Sequence, residues 1–305
     1  MNTNKHQQSK ISVGRSLARH VGLKTDLHKQ SGFTLVEIVV AISILGIIGS
    51  LAALMINNTV EGYDALARRA KAQTSIRLAV DRIARELRHA LPNSVCTYNG
   101  SGCSSAGDRF YFLKSVDAGE YQDQPGTYSS GQAHAPLAVS PSTAGSVDVI
   151  SNNTLNASAN QWLVVYSVDN SNIYSTTNKR KQISSITTKD VDGSAPANDI
   201  AVVNFSGSVN FPGHSPARRF HIIENNATLF YLSGTDLYRA QSSFAAPQTP
   251  SSGTEQLLLQ NVAALGFSYV AGSPQRAGLL RIDITLQQNA ETLHLIHEAH
   301  VQNEP

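Results

Sequence analysis

The amino-acid sequence predicts an α+β protein in which one long N-terminal helix packs on antiparallel β-sheet. Two patterns in the 305 residues lead to this prediction. An almost uninterrupted apolar run, Phe33–Ile56, precedes a segment whose apolar residues recur with helical spacing up to Pro92. Beyond Pro92, short strand-like segments separated by turn-forming residues replace the helical pattern.

The apolar run is long enough to cross a bilayer. As a helix it would span roughly 36 Å, against a hydrocarbon core of about 30 Å. Its only charged residue is Glu37, and an ionised carboxylate inside a bilayer is costly. Residues 1–32 hold six Lys or Arg and one Asp, a net charge of 6 − 1 = +5. Because positive residues beside an apolar segment remain in the cytoplasm, we predict a single-pass protein whose residues from about 60 onward lie across the membrane.

The helical pattern continues from Glu61 to Leu91. Its later apolar residues are spaced by four, three, four and four positions, which places them in one stripe. Pro92 cannot continue a helix. We therefore predict one helix from Phe33 to Leu91, the amphipathic part of which, residues 61–91, covers a sheet. The stripe consists of Ile76, Val80, Ile83, Leu87 and Leu91.

The rest of the chain is predicted as two regions. Residues 92–160 are rich in Ser, Gly, Asn and Ala and are expected to form a variable loop region with one short strand, whereas residues 161–305 are expected to be β-rich. Turns are predicted at Asn225–Asn226 and Ser233–Gly234. In RIDITL, apolar and polar residues alternate, as in a sheet with one solvated face. The predicted strands are Asp108–Leu113, Gln161–Val168, Ala201–Phe205, Phe220–Ile223, Thr228–Leu232, Leu237–Arg239 and segments of QLLLQNVAALGFSYV, GLLRIDITLQ and TLHLIHEAHV.

Cys96 and Cys103 are the only cysteines and lie seven positions apart. In a segment outside the cytoplasm, such a pair is expected to form a disulfide. Two free thiols, or half of a metal site, are the alternatives; the absence of further cysteines and of nearby histidines favours the disulfide.

The peptide SGFTLVE, followed by the apolar helix, resembles the processing site of type IV prepilins. The resemblance rests on Gly32, Phe33 and the residues up to Glu37. It implies a type IV pilin-like fold, cleavage between Gly32 and Phe33 by a prepilin peptidase, and N-methylation of Phe33. Residues 1–32 are then a cytoplasmic leader, and residues 33–60 form a transmembrane and filament-core helix. An ordinary signal anchor or signal peptide requires neither Gly before Phe nor this acid.

The resemblance also implies a role for Glu37. Cleavage creates a positive α-amino group on Phe33, which the Glu37 carboxylate of a neighbouring subunit neutralises in the filament. Burying the two charges together removes much of the cost of burying each alone.

The C-terminal half resembles the large minor pilins of the J/W type, and among them those of the mannose-sensitive haemagglutinin (MSHA) pilus. The similar segments are LFYLSGTDLYRA, QLLLQNVAALGFSYV and HEAHVQNEP. This resemblance implies a non-enzymatic minor pilin that primes pilus assembly, stays at or near the tip and serves cell adhesion. A J-type pseudopilin of type II secretion, and a tip adhesin or DNA-binding minor pilin, are alternatives.

The resemblance further implies partners and location. The partners are the prepilin peptidase/N-methyltransferase, other minor pilins, the major pilin and an inner-membrane assembly platform; nucleic acid is not expected. The chain is expected first in the inner membrane, with residues 61–305 as a periplasmic head, and later in the pilus at the cell surface.

Four other groups of residues contain weaker patterns for a binding or catalytic site. His294, His297 and His300 do not form H-E-x-x-H, and His297 faces away from the other two on a strand. Asp190, Asp192 and Asp199 resemble part of a calcium loop, without the spacing of an EF-hand. Ser215 lies in GHSPA, which departs from G-x-S-x-G. Arg68, Arg69 and Lys71 are expected to be solvated or paired with other subunits, with DNA or lipid headgroups as alternatives. No metal or cofactor is predicted.

Overall fold

The computed structural model describes residues 32–150, 155–167, 171–174, 179–194, 199–273, 276–288 and 291–301. The chain divides into two compact units, Met1–Tyr63 and Asp64–Pro305, and the second is called the head unit below. The predicted leader up to residue 31, and the last four residues of HEAHVQNEP, lie outside the described residues.

One long helix, α1, spans Leu35–Leu87, and the predicted α+β class is confirmed. The helix ends four residues before the predicted end at Leu91. The amides of His89 and Ala90 donate to carbonyls three residues earlier, which closes the last turn. The Leu91 amide then donates to the carbonyl of Leu113, so the chain leaves the helix to join a sheet.

The head unit is mostly β-structure, and every pairing between its described strands is antiparallel. The remaining elements are β1 (Cys96–Tyr98), β2 (Cys103–Ser104), β3 (Ala106–Gly107), β4 (Arg109–Tyr121), β5 (Ala144–Ile150), β6 (Trp162–Val165), α2 (Ser171–Tyr174), β7 (Arg180–Lys189), β8 (Ile200–Val209), β9 (Arg219–Ser233), β10 (Asp236–Ser242), β11 (Gln256–Leu259), β12 (Val262–Val270), β13 (Gly278–Gln288) and β14 (Glu291–Val301).

Two long strands, β4 and β9, organise the larger sheet, whose order is β11-β10-β9-β6-β7-β8-β5-β4-β1-β2. They also pair with each other along almost their whole length. This extra pairing closes β9, β6, β7, β8, β5 and β4 into a six-stranded barrel. Beyond the barrel, β11, β10, β9, β4, β1 and β2 form an open sheet. A separate sheet has the order β14-β13-β12-β3.

The described residues of the head unit form three hydrophobic clusters. The first lies between the second half of α1 and both sheets. Within it, the ring of Phe110 lies 5.0 Å from that of Phe230 and 4.6 Å from that of Phe267, which joins the two sheets. The second cluster fills the barrel, and the third lies on the other face of the open sheet. All members of the clusters follow residue 71 in the chain, so the head unit contains a complete core and is expected to fold on its own.

Several strand predictions are confirmed and others are wrong. In β13, Ile282, Ile284 and Leu286 are buried and alternate with more exposed residues, as predicted. The predicted turn at Asn225–Asn226 is wrong, because β9 runs through it as one strand. The two halves of β9 pair with β6 and β10 respectively, while β4 supports both. Residues 92–160, predicted as loops around one strand, contain β1 to β5.

Candidate processing and assembly site

The described chain begins with three residues that precede α1. Gly32 is exposed, and a Cβ built on it meets no atom within 4 Å. The side chain of Phe33 is 77% exposed. The Gly32–Phe33 peptide bond therefore lies in an exposed, non-helical segment directly before a helix, which leaves room for a peptidase.

Thr34 begins the helix. Its hydroxyl oxygen lies 3.3 Å from the amide nitrogen of Glu37 and accepts a hydrogen bond from it. Thr34 is thus the N-cap, and Glu37 stands at the third helical position, as in the S/T-x-x-E capping box. This role of Thr34 was not predicted, although its spacing from Glu37 is visible in the sequence.

Glu37 is exposed and lies in the first turn of α1. A carboxylate there interacts favourably with the positive end of the helix dipole. Cleavage before Phe33 would add a positive amine at the same end, where the dipole opposes it. Glu37 and the position at which the new cation would arise therefore lie at the same end of α1.

The following helical segment is apolar on all sides and exposed. Between Phe33 and Val60 its large apolar side chains are 48–79% exposed. Its best 18-residue window has a mean hydropathy of 2.6, so α1 is long and apolar enough to cross a membrane. The hydroxyls of Ser43 and Ser50 donate to carbonyls of the same helix, which lowers the cost of these polar groups in lipid.

The cysteines lie at the junction of the two sheets. Cys96 begins β1 and Cys103 begins β2, and a disulfide joins them with their Cα atoms 5.3 Å apart. The Tyr111 hydroxyl lies 3.5 Å from the Cys103 sulfur. Directly after the disulfide, the chain crosses from the open sheet to β3 in the other sheet.

The aspartates considered for calcium do come together. Oxygen atoms of Asp190, Asp192 and Asp199 lie within 4.8 Å of one another. However, each carboxylate accepts hydrogen bonds from backbone amides of the turn, including that of Gly193. Hydrogen bonds from the side chain and then the backbone of Ser194 lower the pKa of Asp192. These hydrogen bonds explain why the three aspartates lie close together, because their carboxylates hold the backbone of a turn.

The histidines of β14 do not converge. His294 and His300 are exposed, whereas His297 is partly buried on the opposite face, as predicted. The Nε2 atom of His294 lies 2.7 Å from the Asp283 carboxylate on β13. Within the described ranges, these histidines belong to no group of three metal-ligating side chains.

The last two candidates are Ser215 and the group of cations on α1. Ser215 is buried, and its hydroxyl accepts a hydrogen bond from the Arg219 amide. Arg68, Arg69 and Lys71 are exposed on α1, and no salt bridge is seen for them within the described part of the head unit.

Comparison with known protein families supports the N-terminal segment as a functional unit. Residues 27–53 match the family described as the Prokaryotic N-terminal methylation motif. The match includes Gly32, Phe33 and Glu37 and extends into α1. Comparisons with curated proteins and with solved structures found no significant match. The N-methylation motif of type IV prepilin-like proteins is therefore present, and with the apolar helix it is consistent with an inner-membrane anchor.

Proposed function

We propose that this chain is a minor pilin that primes assembly of a type IV pilus and stays at or near its tip. The observation that carries the proposal is the methylation motif at residues 27–53, which leads into an exposed apolar helix. In a soluble protein such a surface would be a severe liability. In a pilin the same surface serves twice, first as a membrane anchor and then as a filament contact.

The proposed processing divides the chain at Gly32 and Phe33. A prepilin peptidase on the cytoplasmic side cleaves the bond between them, removes residues 1–32 and methylates the new amine of Phe33. The amine then becomes the partner for Glu37 of a neighbouring subunit. Pairing these two charges lowers the cost of bringing either into an apolar filament core.

Small residues on α1 allow the apolar helices of neighbouring subunits to pack closely. Gly46 and Gly49 leave open space on α1, with no atom within 4 Å of a Cβ built on either. Small residues allow helix backbones to approach each other in lipid. We therefore place residues 33–60 in contact with the corresponding helices of other minor pilins and of the major pilin, on the inner-membrane assembly platform.

The size of the head unit supports the proposed position at the tip. A barrel and long connections add bulk to the part of the head unit that packs on α1. A head of this size suits a single copy at the filament end better than a repeating shaft subunit. Among known minor pilins, the proposed counterpart is MshO of the MSHA pilus, on the C-terminal resemblance described above.

The proposal is tested by locating the protein in the organism that makes it. Antibodies to the head unit should label the ends of isolated pili, and deletion of the gene should reduce piliation. Restoring the wild-type chain should restore piliation, whereas a chain blocked at Gly32 should not. Uniform labelling along the shaft, or normal piliation after deletion, would contradict the proposed role. Co-purification with secretion components instead of pilus components would favour the J-type pseudopilin.

A further inference from the structure

The turn that joins β1 to β2 contains the only Asn-Gly pair in the sequence. Asn99, Gly100 and Ser101 are exposed, and the disulfide closes the hairpin behind them. Gly100 has a φ of 104°, a conformation that favours glycine. Asparagine is chemically labile, and a following glycine leaves its side-chain amide unhindered because glycine has no side chain. The chemistry of this turn therefore depends on how Asn99 is held.

The Asn99 side chain is folded back over the turn. Its Oδ1 atom accepts hydrogen bonds from the Ser101 amide, at 3.3 Å, and from the Ser101 hydroxyl, at 3.2 Å. A bond from Oδ1 to the second amide along the chain closes a ring of atoms that includes the Gly100 nitrogen. The side-chain carbonyl carbon of Asn99 and the Gly100 nitrogen are therefore close neighbours in this ring.

The Gly100 amide is free to act as a nucleophile. Within the described part of the head unit, its N–H donates no hydrogen bond to the backbone. The Tyr98 hydroxyl donates to the Gly100 carbonyl at 2.8 Å, which holds the other side of this residue. The two Ser101 donors point at the Asn99 oxygen, where negative charge develops when the carbonyl carbon is attacked. Donors placed there stabilise the transition state, as in an oxyanion hole.

A second turn of the same chain has the same hydrogen bonds and lacks this reactivity. The Oδ1 atom of Asp192 accepts bonds from the amide and the hydroxyl of Ser194, at 2.8 and 2.7 Å. Bonds from the side chain and then the backbone of Ser194 lower the pKa of Asp192, so the group is an ionised carboxylate, which resists a nucleophile. The Gly193 amide is also engaged, because it donates to the Asp190 carboxylate at 2.7 Å. Only the turn at Asn99 combines a neutral amide with a free N–H.

We propose that Asn99 is a site of spontaneous deamidation in the folded protein. The Gly100 nitrogen attacks the side-chain carbonyl carbon of Asn99 and forms a new C–N bond. The bond to the side-chain nitrogen breaks, and that nitrogen takes the proton of the Gly100 amide through solvent and leaves as ammonia. One water molecule then opens the five-membered succinimide at either carbonyl, which gives aspartate or isoaspartate. Solvent water is the only other reactant.

The modification changes the hairpin in two ways. It adds one negative charge at an exposed turn, and isoaspartate adds one carbon atom to the main chain. The Cys96–Cys103 disulfide keeps the hairpin closed while the turn changes. The surface of the protein therefore changes with its age. This inference concerns the turn alone and does not depend on prepilin processing.

The test follows the amide-to-acid mass increase at Asn99 by peptide mapping of the full chain in detergent, incubated for weeks at mildly alkaline pH. We expect conversion of Asn99, with isoaspartate identified by electron-transfer fragmentation, and no isoaspartate at Asp192. Ser101→Ala removes one of the two donors and should slow the conversion about two- to tenfold. Asn99→Gln lengthens the side chain, should stay unconverted and confirms the assignment.

Asp192→Asn provides the matched control, because it creates a second Asn-Gly-Ser sequence in which Asp190 still holds the Gly193 amide. Position 192 of this variant should convert more slowly than Asn99 of the same molecule. The chain unfolded in urea gives the rate without structure, and circular dichroism melts confirm that each variant folds.

The proposal is overturned if Asn99 of the folded chain remains an amide while the unfolded chain converts. Equal rates at the two positions of folded Asp192→Asn would show that the local sequence alone sets the rate. An unchanged rate in folded Ser101→Ala would contradict the role given to the Ser101 hydroxyl.

Discussion

The Thr34 hydroxyl accepts a hydrogen bond from the Glu37 amide across 3.3 Å, so the acid proposed for assembly is also the residue whose amide the N-cap of α1 binds. This relationship gives Glu37 two separable roles. Its charge is required for pairing with the amine of a neighbouring Phe33. Its position in the first turn supports the start of the helix, together with Thr34.

Replacing Glu37 by Gln tests the role of the charge. Gln retains a hydrogen-bonding side chain at the third helical position, but it cannot neutralise an amine. We expect Glu37→Gln and Glu37→Ala to be inserted and cleaved normally, and both to be lost from complexes with other pilins. Thr34→Ala, which removes the cap and keeps the charge, should lose helix stability of about 1 kcal/mol and retain assembly. Normal co-purification of Glu37→Gln with other pilins would refute the ion pair.

Removing the Cys96–Cys103 disulfide should destabilise the head unit. A loop this short stabilises by about 2–3 kcal/mol in the chain-entropy model. Cys96→Ser, Cys103→Ser and the double variant should therefore lower the free energy of urea unfolding by similar amounts. Reduced wild-type protein provides the matched control. Two free thiols in the untreated protein, measured under denaturing conditions, would show that the bond does not form.

Gly107 should not tolerate a side chain. A Cβ at this position in β3 would lie 2.1 Å from the carbonyl oxygen of Tyr98. Gly107→Ala is expected to cost about 1–3 kcal/mol, because strand β3 or β1 must move. Gly145→Ala in β5 is the matched control, since a Cβ there meets no atom within 4 Å. Equal stability of the two variants in urea would contradict the close approach of β1 and β3.

Stability should fall at alkaline pH in a way that depends on Tyr111. Burial, with a smaller effect of Tyr98, raises the pKa of the Tyr111 hydroxyl from 10.0 to about 12. Because the unfolded chain releases this proton first, the contribution of the Tyr111 hydroxyl to the free energy of unfolding is fully present below pH 10. It is lost as the pH rises to 12.

The corresponding measurement is urea unfolding of the head unit at pH 9, 10 and 11. The free energy of unfolding should decrease above pH 10, and Tyr111→Phe should reduce the slope by about 1.4 kcal/mol per pH unit. Tyr166→Phe removes a hydroxyl elsewhere and is the control. An unchanged slope in Tyr111→Phe would show that this hydroxyl does not titrate with folding.

The N-terminal part of the molecule could be predicted well because its signals are local. Gly32 and Phe33 precede one apolar run, and the stripe that begins at Ile76 is buried as its spacing requires. The capping role of Thr34 was also visible, as the T-x-x-E spacing, and was missed. The features of the sheets were harder to predict from the sequence, because they arise from pairing between strands that are distant in the chain.

Three examples show why. Asn225 and Asn226 favour a turn locally, but β9 continues through them at a register shift, because Ile223 and Ala227 on either side both pair with β4. The closure of the barrel depends on the same long pairing. Tyr98, Arg109 and Tyr238 lie far apart in the sequence, and only the strand register brings them, with Tyr231, into one line across four strands.

The central claim is that the chain is a processed prepilin, and the mature N-terminus tests it most directly. Mass spectrometry of the protein from its own membranes should find a chain that begins with N-methylated Phe33. In Gly32→Leu the leader should remain attached, whereas Ser31→Ala should be processed normally. A wild-type chain that retains residues 1–32, or that begins after the apolar run, would contradict the account.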